Sequence, residues 1–240
     1  MLQDIVGSAG GVAVTGGICR FGSRTEEIMC GIVGYNGARP VTDFLLDALE
    51  LLEYRGYDSA GLATINAETG RTKLRKCAGR VADLRKVCEN DKKQATCGIG
   101  HTRWATHGGV SDENAHPHRQ GNVLLVHNGI VENYEELRDH FMLSKDLKSE
   151  TDTEVVAGVL NRYYDGDPHK AIAQTVKHLK GTFALVIIFD DIPDVIYAIR
   201  NVSPIVAART EDGTMLASDV AALGSHATEY MVVPEYQIVE

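Results

Sequence analysis

Four strand-like runs in the last third of the chain, Thr182–Phe189, Val195–Arg200, Ile205–Arg209 and Thr214–Ala217, follow one another with only four or five residues between them. A parallel crossover needs about a dozen residues, so strands this close are expected to pair antiparallel. Phe183–Phe189 is apolar at nearly every position rather than alternating, which requires burial on both faces of a sheet. Amphipathic helices to cover such a sheet are at hand. Pro40 opens one, with Val41, Leu45, Ala48, Leu49 and Leu52 at helical spacing, and others are expected near 80–90, 132–141, 152–164 and 168–179. Further strands are expected at 30–35, 59–66, 72–77, 97–103 and 122–128. The fold class is α+β, built in layers. The segment 103–121 has no periodicity and holds Gly108, Gly109 and Pro117; it reads as a long loop, a common seat of function.

Composition narrows the function classes. At 44% hydrophobic and 24% charged residues the chain is that of an ordinary globular protein, not a disordered one. With 24 Lys+Arg against 33 Asp+Glu and no basic block, neither nucleic acid nor an anionic membrane surface is expected as a partner. No apolar run approaches the roughly 18–20 residues that span a bilayer. The five cysteines are odd in number, widely spaced and without a C-x-x-C pair, which fits a reducing compartment, and the chain is expected to be cytoplasmic. Residues 1–28 carry six glycines and no helical stripe and read as a flexible leader; order is expected from Met29. Tyr236–Glu240 reads as an interrupted strand, so the chain is expected to be part of a longer protein.

The residue with the most chemistry in it is Cys30. A cysteine beside Gly-Ile-Val is ordinarily a small buried hydrophobe. Met29 before it opens another reading. If translation starts at Met29 and the methionine is removed, Cys30 carries both a thiol and a free α-amine. An α-amine titrates at about 7.7–8.0, so part of it is neutral and able to act as the base that activates the thiol.

Met29-Cys30-Gly31-Ile32-Val33-Gly34 resembles the start of the class II glutamine amidotransferases, the N-terminal-nucleophile glutaminase domains. Four further blocks narrow the likeness: Tyr54-Arg55-Gly56-Tyr57-Asp58-Ser59-Ala60-Gly61, His101-Thr102-Arg103-Trp104-Ala105-Thr106-His107-Gly108, His127-Asn128-Gly129-Ile130-Val131-Glu132-Asn133 and Ser149-Glu150-Thr151-Asp152-Thr153-Glu154. Together they are similar to the glutaminase domain of the glucosamine-6-phosphate synthases, over residues 29–240. The related amidophosphoribosyltransferases are the alternative, with different wording in the second, third and fifth blocks. The resemblance implies a four-layer αββα sandwich and a glutamyl thioester on Cys30. It also implies L-glutamine as substrate, no metal or organic cofactor, and a missing sugar isomerase domain that accepts the ammonia. The full-length form is expected to be a homo-oligomer.

Several residues admit two readings. Asn128-Gly129 is a common turn pair, whereas the resemblance makes the two the oxyanion donors. Arg103 is either a solvated surface arginine or the fork that binds an α-carboxylate. Ser149-x-x-Asp152 has the look of a helix cap, while the resemblance assigns Arg103, Thr106, His107 and Asp152 to gripping glutamine. Trp104, the only tryptophan, is either a packing residue or a cap on the pocket. Arg55 is expected to support the Cys30 terminus. The family's loop has a proline where this chain has Val110, which points to a looser lid. Two rivals remain. His101, His107, His116, His118 and His127 lie close in sequence, yet lack the spacing of a zinc site. A non-catalytic amino-acid-binding module would have Cys30 internal.

Overall fold

A computed structural model describes residues 30–66, 68–91, 95–105 and 108–240. Along the chain come β1 (Gly31–Gly37), α1 (Val41–Glu50), β2 (Ser59–Asn66), β3 (Arg71–Ala78), α2 (Val81–Val87), β4 (Cys97–Arg103), β5 (His118–Gln120) and β6 (Val123–Val131). There follow α3 (Tyr134–His140), α4 (Asp152–Tyr163), α5 (Pro168–Val176), β7 (Gly181–Phe189), β8 (Ile192–Asn201), β9 (Val206–Thr210), β10 (Gly213–Ala217) and β11 (Ala227–Val232). One sheet has the order β11-β9-β10-β1-β4-β2-β3 and the other β5-β6-β7-β8. Every pairing is antiparallel.

Three apolar layers hold four structural ones together. Helices α1 and α2 close over one face of the larger sheet, joining Leu45, Leu49 and Leu84 to Val33, Tyr35 and Met215. The facing sheets meet through Ile32 and Ile99 on one side and Leu124, Val126, Val186 and Ile188 on the other. Helices α3, α4 and α5 cover the outer face of the smaller sheet. The result is the αββα sandwich that the resemblance implies, and it has the layered α+β character expected from the strand runs and helical stripes. Strand β7 accounts for its own composition: Phe183, Leu185, Ile187 and Phe189 point to the helices, while Ala184, Val186 and Ile188 point to the other sheet. Each large side chain so buried contributes about 1.5–3 kcal/mol.

Strand β4 shows the same logic with glycine. Cys97, Ile99 and His101 alternate with Gly98 and Gly100. A Cβ at Gly98 or Gly100 would press on Leu45 or Leu49 of α1, at 3.1 and 3.0 Å. Glycine on one face lets the helix lie close to the sheet, and the other face turns its side chains inward.

Several expectations are corrected. The closely spaced runs do pair antiparallel, but as two hairpins in different sheets: β7–β8 in one and β9–β10 in the other. Strand β10 then returns to β1, with Val33 opposite Ala217. The loop 103–121 contains the short strand β5, and strand β6 continues through Asn128 and Gly129 to Val131. The helix expected at 132–141 is shorter, and α4 is capped by Thr151, whose Oγ1 accepts from the Glu154 N–H, not by Ser149. Tyr236–Glu240 forms one bridge, Val239 to Ala198, instead of a strand. Strand β11 is an addition to the expected strands: it is an exposed edge strand whose Tyr230, Met231 and Val232 follow one another without the alternation of a half-buried strand.

Candidate active site

The register places the site. Cys30 immediately precedes β1, whose first residue Gly31 lies opposite Thr102 near the end of β4. The smaller sheet brings Asn128 of β6 against the same end. Cys30 is partly buried; the Trp104 N–H donates to its Sγ at 3.1 Å, and the thiol reaches the Trp104 carbonyl at 3.5 Å. Burial pushes the thiol up, against the Trp104 N–H and the charge of Arg103, and with the charge of Asp58. At neutral pH the thiol is therefore protonated and needs a base to become a nucleophile.

Asn128 links both sheets. Its Nδ2 donates to the Cys30 carbonyl at 2.8 Å, and its Oδ1 lies 3.0 Å from His101 Nε2. An amide nitrogen has two N–H donors, and the second is not used by any of these contacts. The Asn-Gly turn reading fails here: Asn128 pairs with Ala184 and Gly129 with Phe183, within the β6–β7 ladder. Gly129 has φ of 125°, a rotation of the peptide that a regular strand lacks and that side-chain-bearing residues resist. A Cβ there would also collide with the Thr182 carbonyl oxygen. Gly129→Ala is therefore expected to lose about 1–3 kcal/mol from backbone strain alone, read as a lower midpoint in urea unfolding. An unchanged midpoint would mean that Gly129 does not hold this conformation.

Arg103 is not a surface arginine: it is only 3% exposed. Its Nη1 donates to the Gly109 carbonyl at 3.1 Å and its Nη2 to Gly108 at 3.4 Å. The Asn114 amide also donates to Gly109 O, at 2.9 Å. These contacts tie down the backbone beside the exposed Val110, so the missing proline does not leave that stretch unanchored. Asp152 is buried at the first position of α4, where the helix dipole favours a carboxylate. It accepts from the Val131 N–H at 2.9 Å, two residues beyond Gly129.

Trp104 is 42% exposed, so the core-packing reading is excluded; it meets the Cys30 sulfur through its backbone N–H and carbonyl. Arg55 is joined to Ser218, 3.4 Å to the carbonyl, and to Asp219 at 3.5 Å. Ser218 Oγ in turn accepts from the Ile32 N–H, so Arg55 braces β1 at one remove from Cys30. Thr106 and His107 lie outside the described residues.

Two contributors escaped the sequence reading. Asp58 accepts from Ala105 N–H and from Ser59 Oγ, and its own N–H donates to Arg103 O at 2.7 Å. It thus fixes the chain on both sides of Trp104. Its only signal was its place in the Tyr-Arg-Gly-Tyr-Asp-Ser block. The other is His101, seen at first as part of a histidine cluster. His116 stacks on His101 at 4.2 Å, and His118 meets His116 at 4.8 Å. Among the described residues, no group of three or more His, Cys, Asp or Glu is arranged to hold a metal ion.

Residues 101–225 match the family model of a glutamine amidotransferase domain. The chain is 42% identical over 215 residues to the glutamine–fructose-6-phosphate aminotransferase [isomerizing] of Clostridium acetobutylicum, taking in 88% of this chain and 35% of that protein. It is 44% identical over 216 residues to the protein of the same name from Staphylococcus epidermidis, with the same shares. The chain thus spans about a third of the length of the curated relatives it matches. A solved structure of glutamine phosphoribosylpyrophosphate amidotransferase from B. subtilis, with ADP and GMP, superposes with a TM-score of 0.71 at 22% identity, over 88% of this chain and 48% of that one. At that identity the likeness is one of fold, the αββα sandwich.

Proposed function

The chain belongs to the glutamine amidotransferase domain family, and from that premise we propose that it hydrolyses the side-chain amide of glutamine at Cys30. The thiol adds to the amide carbon while the α-amine of a terminal Cys30 takes its proton. The tetrahedral oxyanion is held by the free N–H of the Asn128 amide and the backbone N–H of Gly129. The amine returns the proton to the leaving nitrogen, ammonia departs, and water cleaves the glutamyl thioester to give glutamate. The observation that carries this reading is the Asn128 amide lying 2.8 Å from the Cys30 carbonyl, which sets an oxyanion donor beside the nucleophile. Arg103 would bind the α-carboxylate with its fork, and Asp152 the α-ammonium. Thr106 and His107 would complete the grip, with Trp104 covering the pocket.

The curated relatives are about two and a half times as long as this chain, and their names include fructose 6-phosphate. We propose that the ammonia made here passes to a sugar isomerase partner or domain, which forms glucosamine 6-phosphate in a homo-oligomeric assembly. The chain alone would perform the glutaminase half-reaction. Free thiols at Cys30, Cys77, Cys88 and Cys97 support a cytoplasmic site for it. No described helix is long and apolar enough to cross a membrane.

Two substitutions test the assigned roles. Asn128→Ala is expected to lower kcat by about 10²–10³, the usual loss for one oxyanion donor, with KM for glutamine changing little. Arg103→Lys removes two-point binding made in the ground state as well, so KM is expected to rise and kcat to hold. Steady-state ammonia release reads both. If the two variants share one kinetic signature, the division of roles is wrong.

A further inference from the structure

Three groups meet at one nitrogen. His101 is fully buried, on the inward face of β4, and its backbone is flanked by Ile32 of β1 and Gly61 of β2. Its Nε2 lies 3.1 Å from the His127 carbonyl and 3.0 Å from Asn128 Oδ1. The carbonyl is fixed by the backbone and accepts only, so Nε2 must carry the proton, shared between two acceptors. That proton in turn requires an oxygen from Asn128. With Oδ1 so engaged, Nδ2 faces the Cys30 carbonyl, itself an acceptor. A flipped amide would set N–H against N–H on one side and oxygen against oxygen on the other.

Resting on the glutaminase reading above, we propose that His101 is a positioning residue for the reaction: its Nε2–H fixes the rotamer of Asn128, so that the amide nitrogen and not the amide oxygen faces the oxyanion. An asparagine amide rotates through a broad, roughly two-fold torsion, and a donor contributes most when its orientation is set before charge develops. The other ring nitrogen, Nδ1, is buried without a hydrogen-bond partner among the described residues. Burial pushes the ring down to about 3, against the two hydrogen bonds at Nε2. A neutral imidazole with the proton on Nε2 is the one form that satisfies these neighbours.

The test pairs a variant that removes the donor with one that restores it. His101→Leu is expected to lower kcat by about 10-fold or more, a share of the 10²–10³ attached to a whole oxyanion donor, with KM for glutamine within about two-fold. His101→Gln, whose amide nitrogen reaches to a similar position, is expected to recover most of that loss. In an Asn128→Ala background, His101→Leu is expected to cost nothing further, since its effect runs through Asn128. Nitrogen-15 spectra of the full chain should show the Nε2–H tautomer, unchanged from pH 5 to 8, whether or not the protein is turning over. The proposal is overturned by an Nδ1–H tautomer, by a Gln variant no better than Leu, or by an equal loss in both backgrounds. Failure of the glutaminase reading shows differently: a Cys30-terminal protein that does not hydrolyse glutamine, or a Cys30→Ala variant that still does.

Discussion

Cys30→Ala is expected to reduce glutamine hydrolysis by more than about 10⁴-fold, the scale of loss when a covalent nucleophile is removed, and to leave the fold intact. The structural cost is small because Cys30 stands at the edge of β1, and among the described residues its sulfur hydrogen-bonds to the Trp104 backbone. No other described thiol can substitute. Cys77 and Cys88 are buried in the layer beneath α1 and α2, and burial holds both at about 11. Cys97 is buried between the sheets and pushed up to about 12. These three are protonated and out of reach of a substrate at neutral pH. Ammonia release by Cys30→Ala is the measurement, alongside a thermal melt to show that the protein is folded. Retained activity in a folded variant would remove the thioester mechanism altogether.

What the sequence disclosed depended on how strongly burial was imprinted on it. Strand β7 had to be read correctly, because two apolar faces leave no polar position to misread. Strand β11 could not be, since five of its six residues are exposed and an edge strand is held by its backbone pairing with β9. The site divides in the same way. The five blocks named Cys30, Arg103, Asn128, Gly129 and Asp152, but residue type alone would have made Asn128-Gly129 a turn and Arg103 a surface charge. Only register decides otherwise: β6 runs straight through Gly129 at a positive φ, and β4 carries Arg103 inward beneath Gly108 and Gly109. His101 and Asp58 were invisible as contributors because neither acts by residue type. Each works by where its hydrogen bonds end, on Asn128 in one case and on Ala105 and Arg103 in the other.

The amine-as-base mechanism makes a strong demand on residues 1–29, which lie outside the described structure. Burial raises the Cys30 thiol, so at neutral pH a base must remove its proton. In a chain that begins at Met1, the nitrogen of Cys30 is an amide, neither basic nor able to return a proton to the leaving nitrogen. A protein that retains residues 1–29 is therefore expected to be inactive as a glutaminase. One that opens on Cys30, by a start at Met29 with methionine removal or by cleavage of a propeptide, is expected to be active. The expected pH dependence has a definite sign. The amine accepts a proton only when neutral, so kcat/KM should rise as pH passes through its ordinary range of about 7.7–8.0 and fall on the acid side. The experiment expresses one form from Met1 and one from Met29, reads each mature terminus by mass spectrometry, and follows ammonia release from pH 6 to 9. Activity should track a terminal Cys30. An intact Met1 form that hydrolyses glutamine as fast as the Cys30 form, with the same pH profile, would rule out the terminal amine as the base.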